Sequence, residues 1–180
     1  RDGHEHAIDL CRQVEEFNSG MMLDGSTHEP LERLFSYGVA GYPEKHEEAM
    51  NMDIDIEYLK AKIQLGAKYV VTQMFFDNQK YFDFVKRCRE AGINVPIIPG
   101  IKPLTSLTQQ ALLPKTFHID LPMDLADALR KCKSNDEVKA LGVEWAIAQA
   151  RELKAANVPS IHFYSMNAAA GVEAIAEAVY

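Results

Sequence analysis

Side chains that can form hydrogen bonds or carry charge follow each of four apolar segments of the sequence. Gln73 lies within the second segment, and its amide can both donate to and accept from the edge of a ligand ring. Lys102 follows the third, where a lysine can hold an anion or form a Schiff base with a carbonyl substrate. No glycine-rich phosphate loop accompanies them, so a nucleotide would bind without the usual fingerprint. The polar groups that follow the four segments are residues 42–46, 77–78, 102–109 and 164–167.

The cysteines and histidines suggest little further chemistry. The three cysteines are widely spaced, form no C-x-x-C pair and occupy apolar positions of predicted helices: Cys11, Cys88 and Cys132. We expect buried free thiols in a protein of the reducing cytoplasm, with a catalytic thiol as the alternative. His4 and His6 alone do not make a ligand set, so we expect no metal.

Short apolar segments rich in β-branched and aromatic residues alternate with segments of helical periodicity. The apolar segments predict strands at 35–42, 69–76, 96–101 and 160–165. The periodic segments predict helices at 7–17, 56–67, 81–88, 107–129, 138–156 and 172–179. Continuous apolar strands separated by amphipathic helices indicate an α/β fold with a parallel sheet. The polar groups that follow the strands would then share the carboxyl-terminal edge of that sheet.

Two architectures satisfy this alternation: an open doubly wound sheet, and part of a parallel (β/α) barrel of the TIM type. Composition does not choose between them. A complete eight-stranded barrel needs roughly 250 residues, whereas this chain has 180 residues and four predicted strands. In the barrel interpretation the chain is a partial barrel, and its two open edges and apolar inner face would need another segment or a second copy to cover them.

The composition limits the kinds of partner. A content of 47% hydrophobic and 25% charged residues is typical of one globular domain. The net charge of -7 makes nucleic acid an unsuitable partner, because an acidic surface repels phosphate. No apolar run approaches the ~18 residues that a membrane-spanning helix needs. The chain begins with Arg1 and shows no signal peptide, which indicates a processed or artificially made end.

Four segments together resemble the methylenetetrahydrofolate reductase family. Residues 39–49, VAGYPEKHEEA, are similar to the family signature V-A-[AG]-Y-P-E-x-H-x-E-A. They are followed, at the spacing of the family, by LKAKIQLGAKYVVTQMFFD at 59–77, AGINVPIIPGIKP at 91–103 and HFYSMN at 162–167. The resemblance implies an eight-stranded barrel with FAD in its mouth, of which residues 1–180 form the carboxyl-terminal half as a single domain.

The reaction that the resemblance implies is FAD-mediated hydride transfer from NADH or NADPH to 5,10-methylenetetrahydrofolate, giving 5-methyltetrahydrofolate. The general-acid Glu of the family and the Asp of its R-G-D segment belong to strands upstream of this sequence. Asp2 follows Arg1 but lacks that context. We therefore expect no catalytic residue in this chain and no turnover by it alone. The implied partners are a folate, a nicotinamide nucleotide and further copies of the chain.

The resemblance also assigns binding residues one by one. Asp55 falls on the FAD side, although a helix N-cap is the alternative interpretation. Lys62, also on that side, carries a charge that suits phosphate. Gln73 falls on the substrate side, where a buried amide needs partners. The implied FAD positions are His6, Ala7, Tyr42, His46, Ala49, Asp55, Tyr58 and Lys62. The implied substrate positions are Gln73, Gln109 and Tyr164.

One departure from the family pattern concerns the folate. Many members have Arg where this chain has Ala168, so either Lys102 holds the folate tail or folate affinity is altered. Two other hypotheses stay open. The chain could be a catalytically silent half barrel that associates with itself, or an aldolase-type barrel that forms a Schiff base on Lys102.

Overall fold

The computed structural model of the protein describes residues 3–29, 31–165 and 169–180. Helices and strands alternate along these residues, as the periodicity predicts. The elements are α1 Ala7–Asn18, β1 Gly38–Gly41, α2 Met52–Leu65, β2 Tyr69–Met74, α3 Asn78–Glu90, β3 Ile97–Ile101, α4 Gln109–Phe117, α5 Met123–Leu129, α6 Asn135–Ala155, β4 His162–Phe163 and α7 Ala169–Val179.

The four strands form one parallel sheet in the order in which they occur along the chain, β1-β2-β3-β4. Gly41 of β1 pairs with Thr72 of β2. Ile101 of β3 pairs with Phe163 of β4. The order contains no reversal, which is the point at which a doubly wound sheet changes its direction of growth. The predicted α/β class with a parallel sheet is confirmed.

Helices cover one face of this sheet. Val70 of β2 and Ile97 of β3 belong to a buried cluster that also holds apolar residues of α2, α3, α6 and α7. The helix residues in the cluster are Ile56, Leu59, Tyr81, Phe84, Cys88, Ala146, Ala150, Leu153 and Ile175. On the opposite face, Val71 and its register partner Ile98 are only half-buried, and Ala40 is exposed. This second face is left largely open by the described residues.

All four strands are shorter than predicted, and at the ends of β1 and β2 side chains occupy backbone groups. Asn18 accepts a hydrogen bond from the N–H of Phe35 at 2.8 Å and donates to its carbonyl at 3.2 Å. The N–H of Phe35 is therefore not free to donate to a neighbouring strand. Beyond β2, Gln149 donates to the carbonyl of Phe75 at 3.2 Å, and Trp145 donates to that of Phe76 at 3.0 Å.

The helical region predicted at 107–129 contains two helices, because His118 adopts a left-handed φ of +52° at the end of α4. A second buried cluster joins α4, α5 and the beginning of α6 to the carboxyl end of β2. Its members are Met74, Phe76, Leu104, Leu113, Ile119, Leu125, Leu129 and Val138. This cluster fixes α4 beside the edge at which the predicted ligand residues lie.

The prediction for the cysteines is partly wrong. Cys11 and Cys88 are buried free thiols, but Cys132 is half-buried and lies in the turn between α5 and α6 rather than in a helix. Among the helices of the described residues, none combines the length and the apolar character that crossing a bilayer requires.

Candidate functional site

The carboxyl-terminal edge of the sheet brings together one polar residue from the end of each strand. Tyr42 and Gln73 each lie one residue beyond the paired Gly41 and Thr72. Lys102 directly follows β3, and the N–H of Tyr164 donates to the carbonyl of Ile101 at 2.9 Å. The sheet thus places the first, second, third and fourth strand ends side by side, as expected for parallel strands.

The connection between β1 and α2 folds around the carboxylate of Asp55. This carboxylate is buried and accepts a hydrogen bond from the backbone N–H of His46 at 2.9 Å. The His46 ring meets the Tyr42 ring edge-on, with centroids 4.5 Å apart. Burial raises the pKa of the Tyr42 hydroxyl, and the nearby charge of Asp55 raises it further. Tyr42, His46 and Asp55 therefore form one cluster.

Asp55 is not the N-cap of α2, so that interpretation is wrong. Asn51 is the cap, and its side chain accepts from the N–H of Ile54 at 3.0 Å. The Asp55 carboxylate is thus available for tertiary contacts. One of its oxygens accepts from His46, and the other has no hydrogen bond among the described residues.

The Lys45 side chain stabilises the connection between β1 and α2 by hydrogen bonds within it, although the sequence predicts no role for this residue. Its ammonium donates to the carbonyl of His46 at 2.9 Å and to that of Ala49 at 2.7 Å. Its backbone adopts a φ of +78°, which an L-residue rarely does. Ala49 is buried, and its carbonyl is one anchor of the loop. The sequence does not predict this φ, because a positive φ is expected at glycine and residue 45 is a lysine.

Asp55, Tyr58 and Lys62 lie on one side of α2, since their spacings of three and four residues bring helical positions together. Tyr58 is exposed and Lys62 is half-buried. Burial lowers the pKa of the Lys62 ammonium, and the Asp55 carboxylate opposes this effect. Helix α1 packs against α2 and brings the Cys11 thiol close enough to act on the same ammonium.

The first turn of α1 has no side-chain cap for its backbone donors. His6 is its N-cap residue and makes no capping hydrogen bond with its side chain. His6 and Ala7 are both exposed. A helix end in this state can donate its first N–H groups to an anion.

Gln73 and Gln109, the two amides predicted to contact the substrate, differ in how many hydrogen bonds they already make within the protein. Gln73 is half-buried, and its oxygen accepts from the N–H of Met74 at 3.0 Å. Its amide nitrogen has no acceptor among the described residues. The Gln109 oxygen accepts from the N–H of Thr105 at 2.7 Å, and its nitrogen donates to the Thr105 hydroxyl at 3.0 Å. Gln109 would have to release Thr105 before it could contact a ligand.

Tyr164, which follows β4, forms a hydrogen bond to β2 across the intervening β3. Its ring lies over Gly100, where an added Cβ would come within 2.6 Å of the ring and 2.4 Å of the Thr72 carbonyl. Its hydroxyl donates to that carbonyl at 2.8 Å. Burial raises the pKa of Tyr164, and Tyr42 adds to this effect, so the two hydroxyls lie near each other. The face of the Tyr164 ring, rather than its hydroxyl, is therefore the part left for a ligand.

Two further charged groups lie at this edge. Glu44 has a side chain only 8% exposed, and it accepts from the N–H of Asp120 at 3.0 Å with the Lys80 ammonium 4.0 Å away. Burial raises the pKa of this carboxyl to about 7. Lys102 is also buried, and burial lowers its pKa. The sequence predicts a role for Lys102 and none for Glu44. Asn167 and Ala168 lie outside the described residues.

A depression of about 620 Å³ opens beside this edge and is lined by Glu44, Lys45, Glu47, Glu48 and His118. The Nε2 atom of His118 lies 2.5 Å from a carboxylate oxygen of Glu47. A more apolar depression of about 480 Å³ lies between α1 and residues 21–23 and 35–37. None of the residues assigned from the sequence lines either depression. Within residues 3–29, 31–165 and 169–180, no group of three His, Cys, Asp or Glu side chains is arranged for a metal ion.

Comparison with known proteins gives a consistent result. The sequence model of a family described as methylenetetrahydrofolate reductase matches residues 2–180. Methylenetetrahydrofolate reductase 1 of Schizosaccharomyces pombe is 38% identical over 176 residues, which is 97% of this chain and 27% of that protein. The 5,10-methylenetetrahydrofolate reductase of Escherichia coli is 35% identical over 136 residues, which is 75% of this chain and 46% of that protein.

A probable methylenetetrahydrofolate reductase (NADPH) of Caenorhabditis elegans is 41% identical over 135 residues, or 74% of this chain and 20% of that protein. The chain thus spans between 20% and 46% of the length of these three relatives. A solved structure of an uncharacterized protein from Clostridium thermocellum, which binds two copies of 5-methyl-5,6,7,8-tetrahydrofolic acid, matches with a TM-score of 0.54 and 19% identity. That match covers 97% of this chain and 68% of the other, and it shows a shared fold.

Proposed function

The chain belongs to the methylenetetrahydrofolate reductase family, and from this premise we propose that residues 1–180 supply the carboxyl-terminal half of a (β/α)₈ barrel that binds FAD. The whole enzyme would reduce 5,10-methylenetetrahydrofolate to 5-methyltetrahydrofolate with NADH or NADPH. The uninterrupted order of parallel strands and the helix layer on one face support a barrel wall. The open second face would then be the barrel interior.

The observation that carries the proposal is the cluster of Tyr42, His46 and Asp55 beside the Lys62 ammonium. Lys62 has no carboxylate within ion-pair distance among the described residues, so a phosphate can become its partner. The free Asp55 oxygen can accept from sugar or ribityl hydroxyl groups. This donor set fits the dinucleotide part of FAD. The open first turn of α1 adds backbone donors for the same phosphates.

When bound, FAD would accept hydride from the nicotinamide and deliver it to the exocyclic methylene carbon of the folate. The described residues would contribute binding and orientation. The unpaired amide nitrogen of Gln73 can donate to a ring carbonyl or to a nicotinamide carboxamide. The ring of Tyr164 provides a flat surface next to it. The general acid and the flavin-side Asp are expected from residues upstream of this chain, so the chain alone should show no turnover.

The test compares the protein at its natural length with the 180-residue chain. We expect the longer protein to carry flavin, to oxidise NADH or NADPH with menadione as acceptor, and to reduce methylenetetrahydrofolate. We expect none of these turnovers from the 180 residues alone. A longer protein that binds no flavin after incubation with FAD would contradict the proposal.

A matched pair of lysines on α2 tests the FAD contacts. Lys62→Met should lower the flavin content of the purified protein, because it removes a cation from the cluster. Lys60→Met is the control, because residues two positions apart on a helix point in different directions. Equal flavin content in the two variants would show that Lys62 does not hold the cofactor.

Self-association of the 180 residues is a second proposal, which the open sheet favours. In the described sheet β1 and β4 each pair on one side only, and the face that contains Ala40, Val71 and Ile98 is uncovered. We expect the isolated chain to elute as a colourless dimer or larger assembly. Val71→Lys should then dissociate it by placing a charge on this face, whereas a monomeric wild-type chain would contradict self-association.

A further inference from the structure

The Lys102 side chain is largely buried at the carboxyl-terminal edge of the sheet, and its ammonium has no partner among the described residues. The residue is only 7% exposed. An ammonium has three N–H donors, and none of them reaches an acceptor among the described residues. The buried side-chain nitrogens and oxygens that lack a hydrogen bond among the described residues belong to His28 and Tyr37, so the Lys102 ammonium is not sealed from solvent and can reach a ligand. Burial lowers the pKa of Lys102, and no neighbouring carboxylate counteracts this effect.

The position of Lys102 in the sheet sets the direction of its side chain. Ile101 is fully buried in the cluster that faces the helices. Because side chains alternate along a strand, Lys102 points to the opposite face. Gly100 points to the same face, and the Tyr164 ring lies over it. Lys102 therefore stands next to Tyr164 on the open face of the sheet, at its carboxyl-terminal edge.

Two other lysines near this edge already have partners, and a third is proposed to bind the FAD phosphates. The Lys45 ammonium donates to carbonyls of its own loop. The Lys80 ammonium lies 3.5 Å from Asp120 and 4.0 Å from Glu44. Lys62 belongs to α2, beside β1, and is assigned to the FAD phosphates above. Lys102 lies on the substrate side, between the strand that carries Gln73 and the strand that leads to Tyr164.

We propose that the Lys102 ammonium binds a carboxylate of the glutamate moiety of the folate substrate and so determines the preference for a folate over a pteroate. This inference rests on the proposed function. The pterin ring of a tetrahydrofolate is uncharged at neutral pH, so its glutamate carboxylates are the anions available to a cation on the substrate side. A charge-assisted hydrogen bond would satisfy the ammonium and fix the orientation of the folate tail.

Equilibrium binding to the protein at its natural length, loaded with FAD, tests this inference. The two ligands are 5-methyltetrahydrofolate and 5-methyltetrahydropteroate, which lacks the glutamate, and calorimetry reports both affinities. Lys102→Met should weaken binding of the folate about tenfold or more, the loss expected for one charge-assisted hydrogen bond, and leave the pteroate unchanged. Lys102→Arg should retain most of the preference. Lys115→Met, at an exposed position of α4, is the control.

The outcomes separate this inference from the proposed function. Equal folate affinity of wild type and Lys102→Met would overturn the role of Lys102 alone. An equal loss for both ligands would also overturn it, because it would indicate a structural role. A wild-type protein that binds neither ligand would overturn the proposed function itself.

Discussion

The hydroxyl of Tyr164 donates a hydrogen bond to the backbone carbonyl of Thr72 at 2.8 Å, although β3 lies between the two chain segments. The ring can cross β3 because Gly100 has no side chain beneath it. Three consecutive strand ends are thereby joined at the edge where the substrate is proposed to bind. The contact makes Tyr164 a residue that holds the shape of the site.

Tyr164→Phe should destabilise the fold by about 1–2 kcal/mol, because it removes the hydroxyl donor from the carbonyl of the fully buried Thr72. Urea denaturation of the FAD-free protein measures this loss. Tyr69→Phe is the matched control, since Tyr69 is 38% exposed and its hydroxyl has no hydrogen bond among the described residues. Equal stability of the two variants would show that the Tyr164 hydroxyl does not support the sheet.

Asp55→Ala should lower stability by about 1.5–3 kcal/mol, the range for a hydrogen bond to a charged group, and should reduce flavin content. It removes the acceptor of the His46 N–H and loosens the connection between β1 and α2. Asp53→Ala is the control, because both residues lie in the first turn of α2 and lose the same interaction with the helix dipole. Equal stability toward denaturation and equal flavin absorbance in the two variants would contradict this role of Asp55.

Glu44 should make stability fall as pH rises. Its pKa is about 7 in the fold, against an ordinary value of 4.5, because burial and the Asp120 charge outweigh Lys80 and the Asp120 N–H. Between these values the unfolded chain has released a proton that the folded chain keeps, so raising the pH favours unfolding. The effect is complete below about pH 4.5, is lost as pH rises to about 7, and amounts to about 3 kcal/mol at most.

Glu44→Gln tests this relation. Glutamine imitates the protonated carboxyl, so the variant should be close to wild type at pH 5 and more stable than wild type at pH 8. Glu57→Gln, on the exposed side of α2, is the control for removal of one negative charge. A stability difference from wild type that stays constant between pH 5 and pH 8 would disprove the buried titration of Glu44.

Gln149→Leu should be among the more damaging single changes, at about 2 kcal/mol or more. The Gln149 amide donates to the Phe75 carbonyl and to the Asn78 side chain, both at 3.2 Å, in a buried position. Leucine would leave both acceptors unpaired. Gln64→Leu, at an exposed position of α2, should be nearly neutral in the same thermal denaturation. A comparable loss of stability in both variants would show that the added apolar side chain, rather than the lost hydrogen bonds, causes the effect.

The order and type of the main elements could be predicted because apolar runs and helical periodicity reflect the same burial that shapes the sheet. The bounds of β1 and β2 could not. They depend on Asn18 and Gln149, whose amides reach backbone groups far away in the sequence. Nothing local to residues 35 or 75 indicates that these groups are already occupied.

The candidate site was predictable to a similar degree. The signature segment and the first turn of α2 bring Tyr42, His46 and Asp55 into one cluster, and their shared role in FAD binding stays a prediction. The sequence predicts no role for Lys45 or Glu44, because the left-handed φ of Lys45 and the contact of Glu44 with Asp120 depend on the tertiary structure. The hydrogen bonds between Gln109 and Thr105 could not be predicted from the sequence either.

The sequential strand order has a consequence for how the protein forms. Each strand pairs with the one that precedes it in the chain, so no ladder needs a strand from later in the sequence, although α4, α5 and α6 separate the β3–β4 partners Gly100 and His162. A βα unit can therefore dock as soon as it emerges from the ribosome, without waiting for residues synthesised much later. Translation and folding of this sheet can advance in the same direction.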